Sequence, residues 1–338
     1  QVINTVGLHW ATDGMAWHGT DMVVGLMGTV ATAAGVQMFD AANMQWGNGK
    51  LVAGLPSNFV RDFGLSGNHV YIATMGGLGV WNLTSDEWDD PITTADGLPT
   101  PVLNYLEVDA GSGTLIIGTP IGIVQYQPGQ GVVGGTLGRA QGLVGNDVSG
   151  FARVGSNTSS YNLYVSHGGT GPTRPGATST IVGQQQPQVG VQITVLDTYL
   201  VDMLPSNEVT AIASDWWGVH IATTEQPLMH WNGAASEMEQ GISSWGVASW
   251  PISQLSSDGT NLLALTTLGL DLIDVQSSTH SSTPLVRMPG LVSGYIDSNG
   301  VWVAAEEGLF AWTGAPSFQA KDRAVMRRAD PLQINFGG

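Results

Sequence analysis

Seven recurrences of one strand–turn–strand pattern, 47 glycines with only 11% charged residues, and no sustained 3.6-residue apolar period predict an all-β chain. The architecture that fits is a seven-bladed β-propeller of four-stranded antiparallel blades. Each blade has two apolar faces that only its neighbours can cover, which is why one unit must recur several times. At 338 residues the chain has the length of about two average domains, but large all-β units run as one. The reading is therefore a single propeller over residues 1–323 and a C-terminal basic tail over 324–338.

The first element of each unit is a turn. Leu55-Pro56-Ser57-Asn58 and Leu204-Pro205-Ser206-Asn207 repeat it letter for letter. Related turns place blade starts near residues 7, 54, 97, 142, 203, 241 and 290, spaced by 47, 43, 45, 61, 38 and 49 residues. Glycine supplies positive φ there, and proline fixes φ while ending the previous strand. The second element is an apolar strand with a small polar end, as in HVYIAT ending at Thr74, LIIGT ending at Thr119, and VHIAT ending at Thr223. Its small penultimate residues, Ala73, Gly118 and Ala222, are expected to admit the adjacent sheet closely. The third element recurs as GVQMFD (35–40), GLGVWNL (77–83), IGIVQYQ (121–127), VQITVLD (191–197), PLMHWN (227–232), LGLDLID (268–274) and GLFAWTG (308–314). In the fourth blade this assignment leaves Gly168 to Gln188, rich in Gly, Thr, Pro and Gln, as an insertion. It reads either as a lid or partner-binding loop, or as flexible decoration. Val2 to Trp10 is a candidate outer strand for the last blade.

Composition narrows the function. A net charge of −17 repels phosphate backbones and anionic lipid, so no nucleic-acid partner is expected. No stretch reaches the length of an apolar membrane span. The chain has no cysteine, hence no disulfide framework and no thiolate metal site. A start at Gln1 without methionine reads as a mature chain after signal removal. With only two lysines and sequons at Asn82 and Asn157, an extracellular or cell-surface location is expected.

The unit GLPSN, then a strand closing in Ala-Thr or Gly-Thr, then Gly-Leu and an aromatic residue, resembles the two-component-regulator propeller repeat. The resemblance is strongest over 54–127 and 204–232. It implies a β-propeller of the kind found in the extracytoplasmic sensor part of membrane histidine kinases and in secreted and surface proteins. This chain departs from the sensor pattern in having one propeller and no kinase segment.

Propeller sites usually lie over the channel, on the face formed by the loops leading into the inner strands and the second-to-third-strand turns. On that face His167, Glu225, Glu306 and Glu307 are candidate acid, base or cation-binding groups, and Trp216 and Trp217 are candidate platforms for sugar rings; the alternatives are solvated loop residues and wedges between blades. His220 and His230 sit in strand patterns and read as core histidines. Asp109, Asp215, Asp258 and Asp297 precede turn glycines and read as hairpin-shaping residues. No HExxH, GxSxG or phosphate-binding glycine loop occurs, so no catalytic residue and no enzyme activity is expected. Asp86, Glu87, Asp89 and Asp90 offer the oxygen ligands calcium prefers, or else mark a charged sheet edge that discourages pairing. No other cofactor is expected.

Charge is distributed unevenly. Residues 1–320 carry six Lys or Arg against 25 Asp or Glu, whereas 321–338 carry four against two. Arg327 and Arg328, with the alternating Leu332, Ile334 and Phe336, are candidate assembly residues that would bind the acidic body of another copy. The expected function is a non-enzymatic secreted module that self-assembles into a surface layer or filament. A glycan-binding or ligand-sensing propeller is the alternative, and a polysaccharide lyase or hydrolase the third.

Overall fold

A computed structural model describes residues 15–18, 21–26, 35–40, 45–51, 55–57, 59–109, 111–143, 145–154, 160–167, 178–184, 192–194, 204, 206, 208–215, 218–225, 228–231, 247, 249–275, 282–286, 291–297, 300–305, 308–313 and 327–328. They form seven antiparallel sheets, six of four strands and one of three among the described residues. The first sheet joins β1 (Met15–His18), β2 (Asp21–Leu26), β3 (Gly35–Asp40) and β4 (Gln45–Leu51). The second joins β5 (Val60–Ser66), β6 (His69–Thr74), β7 (Gly77–Asn82) and β8 (Glu87–Ile92), and the third β9 (Tyr105–Val108), β10 (Leu115–Thr119), β11 (Gly122–Gln127) and β12 (Gly131–Leu137). The fourth holds β13 (Val148–Val154), β14 (Ser160–His167), β15 (Thr178–Gln184) and β16 (Gln192–Thr194). The fifth holds β17 (Val209–Ser214), β18 (Val219–Thr223) and β19 (Met229–Trp231). The sixth holds β20 (Ile252–Ser257), β21 (Asn261–Thr266), β22 (Gly269–Asp274) and β23 (Ser282–Val286). The seventh holds β24 (Leu291–Asp297), β25 (Gly300–Ala305), β26 (Gly308–Thr313) and β27 (Arg327–Arg328). Among the described residues no helix is long and apolar enough to cross a membrane.

In every sheet the chain meanders from the first strand outward, and the first strand of each sheet packs on the first strand of the next, from β1 against β5 to β20 against β24. The core is accordingly divided into slabs between neighbouring sheets. Tyr71, Leu78 and Val80 of the second sheet meet Leu106, Leu115 and Ile117 of the third. Ala211 and Ala222 of the fifth meet Leu255, Leu262 and Ile273 of the sixth. This explains second strands that are buried on both faces, such as β10 and β18.

The expected close approach at small residues is present. A Cβ on Gly118 would lie 2.6 Å from Val148 Cγ1 of the following sheet. The repeated Leu-Pro-Ser turn has a physical reading too. Leu55 and Pro56 pack so tightly over the β6–β7 turn that a Cβ on Gly79 or Gly76 would come within 2.3 Å of them, and Ser57 Oγ accepts the Phe59 N–H at 3.2 Å. In the second copy Ser206 Oγ accepts the Glu208 N–H at the same 3.2 Å. Gly97 (φ 99°) and Gly142 (φ 107°) supply the left-handed step ahead of the third and fourth sheets.

Two expectations are corrected. The stretch 168–188 is not a pure insertion, because β15 lies inside it and pairs with β14 from Ser160↔Gln184 to Ser166↔Thr178. The segment taken as the third strand of that blade, 191–197, instead contains the fourth strand, β16, which pairs with β15. β15 is Ser- and Thr-rich, and its β-branched Thr178, Thr180, Ile181 and Val182 favour extended backbone without the apolar signature of the other third strands. The second correction is at the C-terminal end. Arg327 and Arg328 pair with Ala311 and Phe310, so the last sheet draws its outer strand from within the stretch assigned to a separate tail over 324–338. Val2 to Trp10 lies outside the described residues.

Candidate functional site

The loops leading into the inner strands and the second-to-third-strand turns share one face, as the Met75 N–H donating to Phe59 O at 3.1 Å shows for the second sheet. The turns on this face are built alike. Thr74, Thr119 and Thr266 each donate a hydroxyl to the carbonyl of the glycine three residues on (Gly77, Gly122 and Gly269) at 2.7, 2.7 and 3.1 Å. The hydroxyl also accepts a backbone N–H inside the turn, from Gly76, Ile121 and Leu268. With the polar groups satisfied internally, the tip residue is free to be apolar. The large apolar side chains exposed among the described residues are Phe59 (44%), Met75 (43%), Ile121 (45%) and Leu268 (55%), and all four lie on this face.

A bulge recurs at the start of the inner strands. The register steps between Val60 and Asp62, Val148 and Gly150, Val209 and Ala211, Ile252 and Gln254, and Leu291 and Ser293. The extra residues are Arg61, Ser149, Thr210, Ser253 and Val292. Asn104 occupies the same place in the third sheet, because its N–H bonds Gly118 O at 2.8 Å directly before the Tyr105↔Gly118 pair. A bulge re-aims one side chain away from the ladder. Repeated from sheet to sheet, it sets a row of mostly polar residues at the start of the inner strands. Arg61 and Asn104 interact, with Arg61 NH2 donating to Asn104 Oδ1 at 3.4 Å, and Asn104 Nδ2 reaches the next sheet at Val148 O (2.9 Å) and Asp147 Oδ1 (3.4 Å).

Just below the bulges, buried polar side chains serve the neighbouring sheet. Asp62 accepts the Leu106 N–H at 2.7 Å with one oxygen and its neighbour Phe63 N–H at 2.8 Å with the other. Gln254 accepts the Gly294 N–H at 2.9 Å and Ser256 the Ile296 N–H at 3.3 Å. An inner strand has a ladder partner on one side only. These side chains therefore satisfy donors on its open edge.

The residues singled out from the sequence are dispersed. His167 is fully buried at the end of β14, under the loop carrying Gly145 and Asp147, and not on the surface of the face. Burial holds its imidazole at about 4, below the ordinary 6.5, with a partial offset from its hydrogen bond to the Asp147 backbone. Glu225 is exposed in the β18–β19 turn, on the expected face. Glu306, Glu307, Trp216, Trp217, Leu332, Ile334 and Phe336 lie outside the described residues. Asp86, Glu87, Asp89 and Asp90 are exposed along the outer strand β8, away from the bulge row, with Asp86 in a left-handed turn (φ 59°) and Asp89 3.3 Å from His69. Among the described residues no three metal-ligating side chains gather.

His220 and His230 are core residues. They pair across β18 and β19 with ring centroids 4.9 Å apart, and His220 Nε2 lies 2.6 Å from Asp215 Oδ2. Asp109, Asp215 and Asp258 shape hairpins, each accepting a backbone N–H two or three residues on. Trp250 is a wedge, its Nε1 donating to Thr223 O of the preceding sheet at 2.9 Å. The bulge row carried no sequence signal, since a one-residue register step does not change composition.

No protein-family model and no curated protein matches the chain. Solved structures do. The β-propeller domain of Cps50 (Swd1) from Myceliophteria thermophila aligns over 90% of this chain and 97% of its own, with a TM-score of 0.60 at 9% identity. The computationally designed Ika8 protein aligns over 89% and 82%, with a TM-score of 0.52 at 13% identity. At these identities the likeness shows the fold alone: an all-β protein of the β-propeller type.

Proposed function

We propose that this chain is a non-enzymatic binding or structural module and, within that class, a self-assembling subunit of an extracellular filament or cell-surface layer. Its repeats are read as the two-component-regulator type with seven blades, on the sequence resemblance. The observation that carries the proposal is that Phe59, Met75, Ile121 and Leu268, each more than two-fifths exposed, all lie on one face. Large apolar residues concentrated on one face of a strongly acidic protein mark a surface that another molecule covers. A second copy fits because the chain carries both an apolar face and, at 327–328, a cationic segment on the edge of its last sheet. Two different surfaces meeting in this way make a heterologous contact, which closes into a ring or propagates as a filament.

The test is sedimentation velocity of the intact chain over a rising concentration series, beside a Phe59→Ser, Met75→Ser, Ile121→Ser variant. The intact chain is expected to associate and the variant to remain a folded monomer. A monomeric intact chain at high concentration overturns the reading. Glycan binding is the second reading, favoured by the polar character of the bulge row that includes Arg61, Asn104, Ser149 and Ser253. A lyase or hydrolase ranks below both, because His167, the histidine on which it would have drawn, is covered.

A further inference from the structure

We propose that Arg61 and Asn104 form a carboxylate-binding subsite at the start of the inner strands of the second and third sheets, taking a peptide segment that carries a carboxylate beside an apolar side chain. The proposal rests on the reading of this face as a binding surface, and the segment it takes is acidic and apolar, distinct from the cationic 327–328 strand. Arg61 is one of ten cations in a chain with 27 carboxylates. Among the described residues its partner is an amide, Asn104 Oδ1 at 3.4 Å, and no carboxylate lies within ion-pair reach. Arg153 shows the contrast: on β13, two sheets further on, its guanidinium is tied to Glu107 at 3.3 Å and lies 4.0 Å from Asp109.

A guanidinium has five N–H donors in a planar fork. A single long bond to Asn104 leaves most of them without a protein acceptor among the described residues, and the bulge at Arg61 turns the side chain away from its own ladder. Asn104 is held in place by Val148 O and Asp147 Oδ1, so its amide oxygen stays turned toward Arg61 and orients the fork. Asp147 meets the Nδ2 end of the Asn104 amide, whereas Arg61 meets its Oδ1 end. An incoming carboxylate is therefore expected on the side of Arg61 away from Asp147, where it can be bound bidentately.

The exposed apolar residues lie on the same face as Arg61. Phe59 stands two residues before Arg61, Met75 bonds back to the Phe59 carbonyl, and Ile121 tips the corresponding turn of the next sheet. An acidic sugar would satisfy the guanidinium and leave these three side chains in water. A peptide with an acidic and an apolar residue close together engages both.

The experiment is display selection of random heptapeptides on the full chain, followed by anisotropy titration of the recovered peptides against intact, Arg61→Gln, Arg61→Lys and Phe59→Ser/Met75→Ser chains. Thermal midpoints confirm that each variant is folded. Recovered peptides are expected to place Asp or Glu within two or three residues of Phe, Leu, Ile or Trp. Affinity should fall roughly tenfold to a hundredfold in Arg61→Gln, less in Arg61→Lys, and should weaken with added salt. Peptides without acidic residues, or acidic peptides indifferent to Arg61→Gln, overturn the subsite. If the same peptides still depend on Phe59 and Met75, the binding face stands without it. Retention of an oligouronate and of no peptide overturns the proposal in favour of a glycan.

Discussion

At position 167 the fourth sheet carries histidine where the second, third, fifth and sixth carry Thr74, Thr119, Thr223 and Thr266. The pairing is equivalent, His167 with Val148 as Thr74 with Val60. With its folded pKa at about 4, the imidazole is neutral in the fold, whereas the unfolded chain takes up a proton near 6.5. The unfolded state therefore binds more protons between those limits. Stability from this residue is full above pH ~6.5 and is lost as the pH falls toward 4, by roughly 3 kcal/mol in all. His167→Thr should flatten the pH dependence of the thermal midpoint in that window, and an unchanged slope assigns it to other groups. Asp62 is a second residue-scale case. Asp62→Ala strands two buried backbone donors, one in each of two sheets, and should cost roughly 2–4 kcal/mol in urea unfolding. Asp62→Asn, which keeps one good acceptor, should lose about half of that. Neither role was legible in the sequence, because the Asp62–Leu106 bond joins residues 44 positions apart.

At the scale of the element, much was legible. The strand spans β3, β6, β10, β18 and β22 follow the apolar runs that the sequence displays, and the Thr-to-Gly turns explain why the runs end where they do. What the sequence hid was β15, whose serines and threonines imitate a loop, and the inner-strand bulges, which shift register by one residue without leaving a compositional mark. Close approach of sheets is the most direct element-scale test. Gly118→Ala drives a Cβ into Val148 Cγ1 at 2.6 Å, and Val148 is fully buried and β-branched, so it cannot swing aside. The substitution should cost roughly 1–3 kcal/mol. Val148→Ala alone should also destabilise by opening a cavity. Combined, the two should cost less than their sum, and strict additivity in the double-mutant cycle would show that the sheets are not pressed together at this point.

For the whole molecule the question is how the last sheet is finished. A propeller's terminal blade needs an outer strand, and the sequence offered an N-terminal segment, Val2 to Trp10, together with a tail read as free from residue 324. The backbone of Arg327 and Arg328 instead pairs with Ala311 and Phe310. The two arginines therefore serve the sheet through their main chain and leave the cationic side chains as a separate matter. Truncation separates the two roles. Removing 329–338 leaves β27 in place and should hold the thermal midpoint near that of the intact chain. Removing 324–338 strips the strand, exposes the β26 edge, and should lower the midpoint by at least a few degrees, as a loss of ~1–2 kcal/mol would in a chain of this size. Arg327→Glu with Arg328→Glu keeps the backbone pairing. It should therefore leave the midpoint close to that of the intact chain while weakening association most at low salt, where screening is least. Equal midpoints for the two truncations would remove β27 from the fold and return 324–338 to a tail. A midpoint drop in the double arginine variant as large as that of the longer truncation would mean that the side chains, and not the strand, hold this edge.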